Sequence, residues 1–231
     1  MSDDLTTALR PATSRPTDRL SARGRTLLLC GVVAGPLYVL VGLIEAMTRR
    51  GFDLAHDDLS LLSNGPLGWI HIALFVVTGL LVVLGAVGMG NVLRHPATTA
   101  PRFLLLFGVG LIAAGVFVAD PMGGFPPGTP AGKPVEVTLH GTGHFVAAAL
   151  GFLGLLIACA LMARRFSRTG ETGLARYSLI TGGIFLAAFV GIATGSTSTP
   201  VVVGFWVGVL LAFGWLTTLC VRFRRDAVTE L

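Results

Sequence analysis

Residues 139–144 read LHGTGH, where a stretch rich in proline and glycine gives way to a long apolar run. His140 and His144 stand i,i+4, which turns both imidazoles to one helix face and sets His144 about 6 Å deeper. At a helix N-terminus the macrodipole disfavours a cation, so both rings are biased toward the neutral, metal-competent form. Asp120 closes the preceding apolar run. A carboxylate there opposes the negative end of a helix dipole and calls for a proton, a cation or a metal. Two imidazoles and a carboxylate are the protein ligand set of a catalytic zinc with one position open for water. Asp120, His140 and His144 are therefore the expected metal ligands, with zinc as the implied cofactor. His71, just inside an earlier apolar run, is a candidate to complete the shell, and Asp57 or Asp58 to act as general base.

The same residues admit plainer roles. They could form a hydrogen-bonded network that only holds helix ends together, or His71 with His140 or His144 could carry a b-type haem. Glu45 and Arg49, spaced i,i+4 in the favourable order, read as a surface ion pair. Asp57 or Asp58 reads as the cap of a short interfacial helix, LSLLS, stopped by Asn64-Gly65. Asp120-Pro121 reads as the start of a turn. Gly141 and Gly143 would let a neighbouring helix or loop backbone pass close to the histidines. The stretch PMGGFPPGTPAGKPVEVTL ahead of His140 predicts a stiff, lid-like connector. His95, beside Pro96, reads as an ordinary loop residue, and Ser63, Ser196 and Ser198 join the polar groups of the connecting loops.

The elements that must position these groups follow from composition. The chain is 53% hydrophobic and only 13% charged, against about a quarter charged in a water-soluble domain, which places it in the membrane class. Six apolar runs, 27–47, 69–92, 103–119, 140–163, 174–194 and 201–221, predict an all-α integral membrane protein, a bundle of six transmembrane helices spanning 26–222. The third run is near the lower limit for crossing a hydrocarbon core of about 30 Å. Fourteen of the seventeen Lys+Arg fall on one side of that topology. The skew predicts both termini in the cytoplasm, with 1–25 a disordered tail and 223–231 a second tail. The +5 charge then reports orientation against anionic lipid headgroups and no nucleic-acid partner. Residues 1–25 lack the features of a cleavable signal. Cys30, Cys159 and Cys220 lie inside apolar runs, so no disulfide is expected. Lys133 is the single lysine, in keeping with a high-GC bacterial genome and a bacterial cell-membrane location. Small-xxx-small spacings at Gly31/Gly35, Gly191/Gly195 and Gly204/Gly208 predict close helix packing. Pro36 should kink the first helix. No ionisable residue lies near a span midpoint, which argues against transport.

Three motifs in order, DLSLLSNGPLGW (58–69), GVFVADPMGGFP (115–126) and HGTGH (140–144), resemble the bacterial membrane family designated domain of unknown function 998. That resemblance covers the six runs and implies a six-helix membrane protein without an assigned activity. In residue types the chain is also loosely similar to the alkaline ceramidase and adiponectin-receptor group of membrane zinc hydrolases. By that analogy Ser60 or Ser63, Asp120, His71, His140 and His144 would take the roles of its serine, aspartate and histidines. That group has seven helices, carries its His pair near the chain end and has a Ser-x-x-x-His motif missing here. The functions that follow are a metal-dependent hydrolase of a lipid or amide, or a non-enzymatic sensor, lipid binder or partner subunit.

Overall fold

An apolar chain in lipid must satisfy its backbone N–H and C=O groups internally, and a helix does this within each segment. The computed structural model describes residues 16–93 and 99–229, and among them the fold is all-helical. The helices are α1 (Pro16–Thr48), α2 (Gly68–Leu93), α3 (Ala100–Val116), α4 (Leu139–Arg168), α5 (Thr172–Ala193) and α6 (Thr199–Thr229), with a short 3-10 helix at Leu59–Ser63 between α1 and α2. Five of the six are long and apolar enough to cross a membrane, and α3 is a shorter apolar helix. Its 17 residues rise only about 25 Å.

Each helix packs on its neighbour in the chain, and α6 returns against α1, so the six close into a ring. Glycine sets the contacts on one half of that ring. Gly31 meets Gly85 between α1 and α2, and Gly110 meets Gly151 between α3 and α4; a Cβ at Gly85, Gly110 or Gly151 would press on the opposing backbone, and one at Gly31 on the Cys220 sulfur of α6. Such close approach supplies the dispersion contact that apolar burial cannot supply in lipid. The expected pairing at Gly204/Gly208 holds for only one member. Gly208 packs on Phe185 and Ala188, whereas a side chain at Gly204 would meet open space. Gly195, at φ +72° just past α5, ends that helix in the left-handed conformation glycine favours.

Three expectations change. Residues 16–25 belong to α1, so a disordered tail over 1–25 is overturned for that part; 1–15 lie outside the described residues, as do Arg94, His95 and Pro96. At the other end α6 continues to Thr229, past the predicted 221. Helix α3 stops at Val116, with Phe117 already extended at ψ 104°, although apolar sequence runs on to Ala119. Asp120 precedes Pro121, which disfavours helical backbone there, and the carbonyls of the last turn find partners on α4.

The loops joining α1 to α2, α3 to α4 and α5 to α6 share the end of the ring opposite the termini. Phe125, buried in the long α3–α4 loop, stands edge-on to Phe52 at 5.2 Å, and the Arg49 guanidinium lies 5.5 Å over its ring. The predicted lid is thus pinned to the α1–α2 loop by one aromatic plug.

Candidate binding cavity and its polar rim

Asp120 was expected to strain against the negative end of α3. Because α3 ends early, its carboxylate serves the positive end of α4 instead. Oδ2 accepts the Thr138 backbone N–H at 3.0 Å and Oδ1 accepts the Thr138 hydroxyl at 2.5 Å. Thr138 in turn accepts the Gly141 N–H at 3.0 Å as the N-cap of α4. The dipole therefore favours the charge. A Cβ at Gly141 would collide with this carboxylate, and one at Gly143 would collide with the Phe117 ring. The glycines of HGTGH make room for two side chains, where backbone was expected.

His144 is buried and has its partner in the backbone. Its Nδ1 lies 2.8 Å from both the Ala114 and Phe117 carbonyl oxygens. Nδ1–H must donate to them, so in a neutral ring the lone pair sits on Nε2. His140 is exposed, with its ring 6.0 Å from Phe117. His71 is fully buried and bonds elsewhere, and Phe75 stands edge-on to both His71 (4.8 Å) and His144 (5.9 Å). Among the described residues no group of three or more His, Cys, Asp or Glu could hold a metal ion. Asp120, His140, His144 and His71 thus do not gather into the expected zinc ligand set; Asp120 is engaged by Thr138, His144 by the Ala114 and Phe117 carbonyls and His71 by Glu45.

Glu45 is the residue whose role differs most from expectation. It is 4% exposed, so its pair with Arg49 is buried rather than a surface contact. His71 Nδ1 donates to Glu45 Oε2 at 2.8 Å, and Arg49 Nη1 reaches Oε1 at 3.5 Å. Arg49 also donates to the carbonyls of Leu62 (3.0 Å) and Asn64 (2.5 Å) at the C-terminal end of the 3-10 helix. One guanidinium thus ties α1, the 3-10 helix and the loop plug together, while Glu45 ties in α2. The sequence offered one signal, an ionisable residue inside an apolar run, which requires a partner.

The α1–α2 loop divides its acids by environment. Exposed Asp53 has its pKa lowered, first by the Ala55 N–H it accepts and then by His56. Buried Asp57 accepts the Asp53 N–H at 2.7 Å, yet desolvation still raises its pKa. Asp58 occupies the cap position of the 3-10 helix, but its side chain makes no cap bond there. Its Oδ1 is buried without a hydrogen-bond partner, and burial, with the charge of Asp57, pushes its carboxyl up to about 6.

Asp58 instead lines a cavity of about 400 Å³ at the centre of the ring. All six helices contribute to its wall, with Tyr38, Phe75, Phe107, Phe152, Phe185, Phe205 and Phe213 giving it an aromatic lining. Ser60, Asp120, Thr142 and His144 join Asp58 as its polar members, and Met122, Pro134 and Val137 of the α3–α4 loop roof it. Of the expected site residues, the fold gathers Asp58, Ser60, Asp120 and His144 around this cavity and leaves His71, Asp57 and His140 outside its lining.

Apolar helices in a ring around a closed-over chamber define a multi-pass membrane protein with an internal apolar cavity. The family model described as "Protein of unknown function (DUF998)" matches residues 32–222, and the chain belongs to that family. No curated protein and no solved structure matches the chain.

Proposed function

We propose that this protein is a six-span protein of the bacterial cell membrane, with both termini in the cytoplasm, that binds a single-chain amphiphile in its central cavity. The carrying observation is the chamber itself. Its volume of about 400 Å³ falls in the range of small-molecule sites, which are mostly apolar and carry a few placed polar groups. Here those groups stand at one end, below the loops, and the aromatic wall extends from them along the ring. Exposed Phe145 and Val146 on the flank of α4 also line it, giving an apolar route from the bilayer. Binding needs no metal, and no catalytic step is assigned to Asp57, Asp58 or Ser60.

The test is saturable binding of dodecyl amphiphiles to protein in maltoside micelles, read as a thermal shift. Ala148 lines the chamber, so Ala148→Phe fills part of it and is expected to abolish the shift while the protein stays folded. Equal shifts in wild type and Ala148→Phe would place the amphiphile on the outer surface and end this reading.

A further inference from the structure

We propose that the cavity selects a cationic amphiphile, its ammonium head paired with Asp58 and its tail in the aromatic chamber. This rests on the binding reading above and names its ligand class. Asp58 Oδ1 is buried at the wall and has no partner among the described residues. A desolvated carboxylate is stable only when a proton, a hydrogen bond or a cation compensates it. Among the described residues no Lys or Arg lines the cavity. Arg49 is held by Glu45 and the carbonyls of Leu62 and Asn64, and Lys133 is exposed beside Gly195 at the rim.

The other polar groups point to the same ligand class. Asp120 adds a second carboxylate to the lining and His144 an imidazole whose Nδ1–H is taken up by backbone carbonyls, while Asp57 stands behind Asp58 in the loop. An anionic head would face two carboxylates, and a neutral hydroxyl would offer Asp58 a hydrogen bond but no charge to pair with. An ammonium group meets charge complementarity at Asp58 and, along the wall, aromatic faces that attract cations. Near neutral pH Asp58, raised to about 6, is ionised and able to pair; acid discharges it.

Dodecylamine, dodecanol and dodecanoate share a tail and differ in the head, so their affinities in maltoside micelles near neutral pH isolate the head's contribution. Dodecylamine is expected to bind at least about tenfold tighter than dodecanol, with dodecanoate weakest. Asp58→Asn, or acidification to about pH 5, is expected to bring the amine down to the alcohol's affinity. Equal saturable binding of amine and alcohol by the wild-type protein overturns the selectivity and leaves the binding reading standing. Failure of all three to bind overturns both. The wild-type series decides the matter even if the variant fails to fold.

Discussion

Asp58 carries a tension that can be measured on the empty protein. Its carboxyl is raised from 3.8 to about 6 by burial and by the charge of Asp57. Between those values the folded state binds a proton that the unfolded chain has released. Stability therefore falls as pH rises through that window and stays low above it. The shift corresponds to on the order of 3 kcal/mol. Asp58→Asn, which keeps the shape without the charge, is expected to melt higher than wild type above about pH 6. The difference should shrink as pH falls through that window and vanish by about pH 3, where the wild-type carboxyl is protonated in both states. A wild-type minus variant melting difference that is flat across that range would show that Asp58 is not desolvated. The gain in stability and the loss of amine binding would then belong to one side chain, as expected where a binding site keeps an uncompensated group. The sequence made Asp58 visible as a candidate base or cap. That it stands at a chamber wall was not legible, because the wall is assembled from every helix of the ring.

At the scale of the elements, Arg49 decides whether the α1–α2 loop is held to the ring. Its guanidinium serves Glu45 on α1, the Leu62 and Asn64 carbonyls and the face of Phe125 at once. A planar fork can satisfy these directions together, whereas an ammonium on a flexible stem cannot. Removing one member of a buried ion pair costs about 3–5 kcal/mol, so Arg49→Ala is expected to destabilise by that amount. Arg49→Lys should recover less than half of it, and both variants should make 51–58 and 121–135 more sensitive to protease. A lysine variant that melts and resists cleavage like wild type would reduce Arg49 to an ordinary surface charge. The sequence presented Glu45 and Arg49 as neighbours on one helix and stopped there. The third partner, His71, stands 26 residues away, on a helix whose face toward α1 no local pattern reveals. Asp120 was misjudged for a related reason. Its hydropathic context put it at the end of α3, but a polar cap at the start of α4 outweighed helix propensity, and the sign of the dipole at its carboxylate reversed.

For the whole molecule, the apolar runs were enough to give the helices, since a membrane segment carries its own reason to be helical. Their order in the ring also follows from short connections, which bring chain neighbours side by side. Whether α3 crosses the bilayer is the point on which the topology turns, because it alone falls short of the length of a full span. The packing supports a crossing. Gly108 of α3 meets Gly79 of α2, Gly110 meets Gly151 of α4, and Gly154 further along α4 lies against the Phe103 carbonyl. Helix α3 is therefore flanked along its length by two long apolar helices, and thinning of the bilayer or recruitment of the adjacent loops can absorb the mismatch. With six crossings the ends of the chain lie on one side. The Arg222–Glu171 ion pair between α6 and the start of α5 and the contact of Gly24 with Gly88 bring the terminal ends of four helices together. On the six-span topology proposed above, the excess of arginine at that end would make it the cytoplasmic one. Reporter fusions that are active only in the cytoplasm should accordingly be active at residue 231 and in the α2–α3 and α4–α5 connections. They should be silent at residues 55 and 130. Activity at residue 130 combined with silence at residue 231 would mean that α3 turns back within the membrane.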